Sequence, residues 1–325
     1  MNDATDVTDN DGETGARAPL PAEDAAALAG RIVDNVENVI IGKPEAVEHI
    51  LVTVLARGHL LLEDVPGVGK TMLAKSVARS IDCSFKRVQF TPDLLPSDVT
   101  GVNVYNQKTK EFDFQAGPVF GNVVLGDEIN RAPPKTQSAM LEAMEEGQVT
   151  TDGQTRELPT PFVVIATQND VEPGRTYELP IAEVDRFMKK LELGYPDTDE
   201  ETELLGRVTG QHPIESVEPV ASVDDIRKAR AAVAAVEVTK PVRQYISRLT
   251  GTTRGGSALG VSPRGSIALL RASQARAVLN GRDYVIPDDI QTEALTVLSH
   301  RVQPESGSQT GEDVIRDAVD RVPVE

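Results

Sequence analysis

The feature that most limits what this chain can fold into is a glycine-rich loop, Pro66-Gly67-Val68-Gly69-Lys70-Thr71. It lies between the apolar run Leu60-Leu61-Leu62 and a helix-compatible stretch in which Met72, Leu73, Ser76, Val77 and Ser80 fall at helical intervals. A strand, a tight loop and a helix in that order make a phosphate cradle. Main-chain N–H groups turn inward, Lys70 reaches the β and γ phosphates, and the Thr71 hydroxyl is placed to ligate Mg²⁺. The helix start adds the positive end of its dipole. The full phosphate-loop pattern has a glycine where this chain has Asp64, so the flanking strand and helix carry part of the argument. A Gly-Pro turn followed by a lysine is the plain alternative, but turn chemistry requires neither Lys nor Thr at those offsets.

Downstream, Asn122-Val123-Val124-Leu125-Gly126 leads into Asp127-Glu128. A buried-strand pattern thus delivers two carboxylates to its end. Taken alone, such a pair is a solvated loop. Beside a phosphate loop, Asp127 is expected to hold Mg²⁺ and Glu128 to polarise an attacking water, so the two motifs together predict a Mg-dependent ATPase.

The 325 residues leave room for about two domains. No run of about 18 apolar residues occurs and no basic-then-apolar leader opens the chain, so a cytoplasmic protein is expected. Cys83 has no cysteine to pair with, and His49, His59, His212 and His300 are too scattered for a metal cluster. The net charge of −18, with 33 Lys and Arg spread among 51 acids, argues against nucleic acid as the main partner. Arginine outnumbers lysine, a balance similar to that of proteins from salt-loving microbes; an acidic face for a basic partner is the competing explanation.

Residues 1–25 hold seven acids and one arginine and are expected to be a disordered tail. Residues 26–195 alternate strand, loop and helix, which predicts an α/β fold: a parallel sheet flanked by helices, with ligands at the carboxyl ends of its strands. Two hairpins interrupt it, Val102–Gln115 and Val149–Leu158, the second turning on Asp152-Gly153; surface decoration and function are both open for them. Residues 196–325 read as an all-α domain ending in a short helix. Within it Ser262-Pro263 supplies an N-cap and first-turn proline that put Arg264 at a helix start.

Four strings go further. They are Leu60-Leu-Leu-Glu-Asp-Val-Pro-Gly-Val-Gly-Lys-Thr71, Gln89-Phe-Thr-Pro-Asp-Leu-Leu-Pro-Ser-Asp98, Gly126-Asp-Glu-Ile-Asn-Arg-Ala-Pro-Pro-Lys-Thr-Gln137 and Ala166-Thr-Gln-Asn169. Through them the chain resembles the MoxR-type AAA+ ATPases from about Val39 to Pro323. The resemblance implies a P-loop AAA+ core with a helical lid, and it implies residue roles. Asn169 would be the sensor that orients water, Arg186 the arginine finger inserted into a neighbour's site, and Arg264 a second sensor reaching from the lid to the nucleotide. Arg131 is a further arginine for action in trans, and Ile41-Gly42 would lie against the adenine. It also implies a hexameric ring, hairpins that face the pore or the substrate, and chaperone-like work on protein partners, often von Willebrand factor A domain proteins. Two other classes stay in view: a nucleotide-dependent switch, which has no need of Glu128 as a base, and a nucleic-acid motor, which the acidic balance disfavours.

Overall fold

A computed structural model describes residues 18–65, 67–168, 177, 179–207, 214, 217–255, 257–305 and 309–324. The chain enters through helix α1 (Ala22–Glu37), whose Ala25, Leu28, Ala29, Ile32 and Val36 are buried at the three-and-four spacing of an amphipathic helix. The expectation of a disordered stretch through residue 25 is therefore corrected at residues 22–25. Residues 22–25 are helical because Ala25 opens that buried stripe, and residues 1–17 lie outside the described part.

Helix α2 (Pro44–Leu55), with proline in its first turn, leads to strand β1 (Leu60–Glu63), helix α3 (Lys70–Ser80) and strand β2 (Phe85–Gln89). Then come the short α4 (Pro96–Thr100), a hairpin of β3 (Gly101–Asn106) and β4 (Glu111–Ala116), and β5 (Val123–Asp127). Helix α5 (Pro134–Glu146) precedes the second hairpin, β6 (Gln148–Thr151) and β7 (Gln154–Glu157). Its turn residues Asp152 and Gly153 have φ of 52° and 77°, the doubly left-handed turn that matches strand twist. The core closes with β8 (Val163–Gln168), α6 (Ile181–Val184) and β9 (Lys189–Leu191).

Five strands form one parallel sheet in the order β2-β5-β8-β1-β9. The chain leaves β1 for the far edge and returns beside it only at β8. The carboxyl ends of β1, β5 and β8 thus flank the crevice where such sheets bind ligands. Both faces are covered, which explains the unbroken apolar runs. Leu61, Val124, Val164 and Ala166 pack toward α5, while Leu60, Leu62, Leu125 and Ile165 pack toward α1 to α3.

The helical part comprises α7 (Thr198–Arg207), α8 (Val223–Ala235), α9 (Lys240–Thr252), α10 (Pro263–Leu279), α11 (Pro287–Leu298) and α12 (Gly311–Arg321). It is not purely helical: β10 (Ser257–Leu259) pairs antiparallel with β11 (Gln303–Pro304), a ladder too short to leave an alternating signature. Nor is it a separate core. The apolar layer of Leu60 and Ile165 continues through α1 into Ile226, Tyr245, Leu269 and Ile290.

A buried ionic cluster rivets the same junction. Lys189 of β9 and Arg276 of α10 both pair with Glu293 of α11, the latter at 2.7 Å, and Arg276 also reaches Glu48 of α2 at 2.6 Å. Burial opposes ionisation of Glu293, but Lys189, a hydrogen bond with His49 and Arg276 outweigh it and hold the carboxyl well below its usual range. Removing one member would strand buried charge at about 3–5 kcal/mol.

Candidate active site

The loop between β1 and α3 has the backbone its glycines demand. Gly67 and Gly69 both sit at φ 90°, and the space a Cβ would fill at either is open to 4 Å, so conformation rather than room excludes other residues. Among the described residues no side chain caps the start of α3, which leaves its first N–H groups for an anion. Lys70 is 8% exposed, and its Nζ donates to the Asp64 carbonyl at 2.8 Å. Burial pushes its pKa down, countered by the negative charges of Asp64, Asp127 and Glu128, so three anions converge on this ammonium. Thr71 follows, half-buried; Pro66 lies outside the described residues.

Asp64 accounts for the departure from the phosphate-loop pattern. Its carboxylate accepts the Val65 N–H at 2.8 Å, the Leu193 N–H at 2.6 Å and the Gly194 N–H at 2.8 Å. The loop is thereby tied to the segment leaving β9, which glycine could not do.

Asp127 and Glu128 emerge at the end of β5. Thr167 of β8, fully buried, donates from Oγ1 to Asp127 Oδ1 at 2.7 Å and accepts the Glu128 N–H at 2.8 Å. Arg87 reaches Asp127 Oδ2 at 2.6 Å. Glu128 has φ 58°, a left-handed conformation that costs a glutamate energy and is held by the Thr167 bond. Gln89 donates to Glu128 Oε2 at 3.0 Å and Arg131 to the same oxygen at 2.8 Å. One turn of 3-10 helix, Ile129–Arg131, brings Arg131 back onto Glu128 of its own chain.

The donor set fits a magnesium nucleotide. Thr71 and Asp127 are hard oxygen ligands, and magnesium on a nucleotide takes only one or two protein ligands. Among the described residues no group of three or more His, Cys, Asp or Glu could hold a metal by itself. At Ile41-Gly42 the chain bends with Gly42 at φ 71°, where a Cβ would run into the Glu200 side chain. Beside this bend Val39, Ile40, Met72, Ile214 and Val217 form an apolar cluster, and Met72 directly follows Thr71. That is a wall suited to a planar base.

The two arginines gather elsewhere. Arg186 Nη1 lies 3.2 Å from Glu145 Oε2, and Arg264 Nη2 lies 2.5 Å from Glu145 Oε1. Ser262 at the start of the Arg264 helix bonds Asp185 at 3.2 Å, which holds Arg264 at the Arg186 side of the core. Asn169 lies outside the described residues, just beyond the end of β8. Sequence reasoning missed Gln89, Arg87, Thr167, Asp64 and Glu145. Gln89 and Asp127 sit opposite each other in the β2–β5 register, a signal that exists only once the strand order is known.

Comparison with known proteins bears on the family and the fold. Residues 59–189 match the model of the ATPase family associated with various cellular activities (AAA), and residues 253–318 match the AAA lid domain. The chain is 51% identical to the uncharacterized protein YeaC of Bacillus subtilis, across 93% of this chain and 96% of that one. It is 40% identical to Chaperone MoxR1 of Mycobacterium tuberculosis, across 84% and 74% of the two chains, and 31% identical to MoxR of Methylorubrum extorquens, across 91% and 94%. A crystal structure from Cytophaga hutchinsonii superposes with a TM-score of 0.87 at 37% identity, covering 93% of this chain and 96% of that one. With fold and relatives in agreement, this chain belongs to the MoxR-like AAA+ ATPase family.

Proposed function

We propose that the protein hydrolyses ATP as a ring-shaped oligomer, in which Arg186 and Arg264 of one subunit complete the Lys70, Asp127 and Glu128 site of the next, and that turnover remodels a protein partner. One observation carries this reading: within a single chain the two arginines are spent on Glu145, away from the phosphate loop that Lys70 serves. A site built for phosphoryl transfer needs cationic stabilisation of the developing charge, and a neighbouring subunit is the natural source of it.

The residues divide the work. Amides around Gly67 and Gly69, with Lys70, grip the phosphates; Lys70 exchanges the Asp64 carbonyl for a phosphate oxygen. Thr71 and Asp127 would hold magnesium, which when bound would neutralise charge on the phosphates. Thr167 and Arg87 fix the Asp127 carboxylate, which keeps further lone pairs for a ligand. Gln89 and Arg131 set the angle of Glu128, whose carboxylate orients water and accepts its proton. Asn169 is assigned to the same water from the family resemblance.

A hexamer is the size the resemblance supports, and a von Willebrand factor A domain protein is the class of client it supports. Exposed Tyr105 and Phe112, paired at 5.3 Å on the first hairpin, are the contact surface we assign to that client. The deciding measurement is Glu128→Gln: Mg-ATP should bind as in the parent while phosphate release falls by about 10²-fold or more. Unchanged phosphate release would remove Glu128 from the chemistry, and a parent protein that ignores ATP would remove the whole reading.

A further inference from the structure

Glu145 is placed where a purely structural carboxylate would not be. It lies in the last turn of α5, a helix with no basic residue there, so its charge faces the negative end of the helix dipole. Its own side chain is 37% exposed, and those of Arg186 and Arg264 are 31% and 47% exposed. Ion pairs that open to water add little to stability. Yet each carboxylate oxygen takes one arginine, and the two arginines come from segments far apart in sequence.

The backbone under these side chains is held by a second, buried set of bonds. Arg301, 3% exposed, donates to Asp185 Oδ1 at 2.6 Å, to the Asp185 carbonyl at 2.9 Å and to the Phe187 carbonyl at 2.7 Å, so it grips the chain on both sides of Arg186. Asp185 in turn accepts from Ser262, two residues before Arg264. A Cβ on Gly265 would come within 2.7 Å of Arg301 Cδ, which is why the helix can approach so closely. This framework fixes where the two arginines start. It leaves their long side chains to be aimed, and two like charges side by side repel.

We propose that Glu145 is a positioning residue that aligns Arg186 and Arg264 as one two-pronged clamp for the triphosphate of the neighbouring subunit. The inference rests on the trans reading above and deepens it. A guanidinium has five donors in a rigid fork, so contact with Glu145 through one nitrogen leaves others for phosphate. The Arg186 side chain is 31% exposed, and its ion pair to Glu145 is made through Nη1. Without the Glu145 charge, Glu142, Glu146 and Glu183, which line the same groove, would draw Arg186 to other angles. A displacement of about 1 Å at a catalytic group is enough to cost roughly 10²-fold.

The test mixes two chains that are inactive alone. Glu128→Gln subunits keep their arginines but cannot hydrolyse; Arg186→Ala subunits keep a full phosphate side but offer no finger. Mixed rings should regain phosphate release at Arg186→Ala sites. Adding Glu145→Gln to the Glu128→Gln chain should lower that recovered rate by roughly 10- to 100-fold, while adding it to the Arg186→Ala chain should not. Recovery that is the same with Glu145→Gln on either chain overturns the role of Glu145 and leaves the trans reading standing. Mixtures that never recover overturn the trans reading, and this inference with it. Melting temperature and fluorescent-nucleotide affinity of the Glu145→Gln protein should match the parent; a large fall in melting temperature would make the residue a structural one and also overturn the proposal.

Discussion

The phosphate side and the arginine side of this molecule do related electrostatic work with opposite construction. On the first, Lys70 is 8% exposed and Thr167 fully buried, and Asp127 and Glu128 are tied to neighbouring strands by bonds of 2.6–3.0 Å. On the second, Arg186 and Arg264 stand one-third to one-half exposed on a carboxylate that is itself open to water. A preorganised site is strongest where water is excluded. The phosphate side approaches that property within one chain at Lys70 and Thr167, while the Arg87–Asp127 and Gln89–Glu128 bonds face the open crevice. The arginine side lacks it within one chain, and under the proposed trans reading a neighbouring subunit would supply the cover.

The sharpest way to break this contrast is Arg186→Ala. Turnover should fall by about 10³-fold, while nucleotide affinity of the isolated subunit stays at the parent value. Calorimetric titration beside a phosphate-release assay separates the two. If affinity falls in step with turnover in dilute, unassembled protein, Arg186 serves its own chain and the division between the sides collapses.

The same contrast governs what the sequence revealed. The placing of Lys70 and Thr71 at the start of α3, and of Asp127 and Glu128 at the end of β5, was legible because each lies within a few residues of the apolar run that explains it. The limits of β1 and both hairpins were legible for the same local reason. Thr167 and Gln89 were not, since their partners Asp127 and Glu128 lie 40 and 39 positions away across strands whose order no local pattern states. Glu145 is further off still, 119 positions from Arg264. The resemblance supplied the two arginines but not their common partner, and it gave no sign that Arg131 lies on Glu128 of its own chain. The shared core of sheet and lid was likewise invisible, because amphipathic periodicity shows that a helix has a buried face without saying what covers it.

One residue stitches the two sides together and should make that seam acid-sensitive. His59, just before β1, accepts the Val164 N–H on Nδ1 at 2.9 Å and donates from Nε2 to the carbonyl of Met144, next to Glu145, at 3.0 Å. Burial pushes its pKa down to about 4, against the upward pull of the Met144 carbonyl. The neutral ring is thus the folded form, and a proton on Nδ1 would confront the Val164 N–H. With an unfolded value near 6.5, the contribution of His59 is whole above about pH 6.5 and is lost as pH falls toward 4. At about 1.4 kcal/mol per unit, the loss reaches roughly 3 kcal/mol at the lower end. Urea melts at pH 7.5, 5.5 and 4.5 should show it. His59→Gln can offer one acceptor and one donor without titrating, so its stability should change less over this range; equal slopes for the two proteins would put the acid sensitivity elsewhere.

A smaller effect tests whether the phosphate side is as rigid as its burial implies. Thr167→Val keeps the shape of the side chain but removes the hydroxyl that donates to Asp127 and accepts from Glu128. The Glu128 N–H, in its left-handed conformation, then loses its partner, at a cost of about 1–3 kcal/mol. Part of that cost should appear as a poorly aimed carboxylate, with turnover down roughly tenfold and nucleotide affinity little changed, because Lys70 and the loop amides are untouched. Thr167→Ser retains the hydroxyl and should keep turnover within about twofold. Should valine prove as active as serine, Glu128 is aimed by Gln89 and Arg131 alone, and the phosphate side is held at its surface, as the arginine side is, instead of from its buried strand.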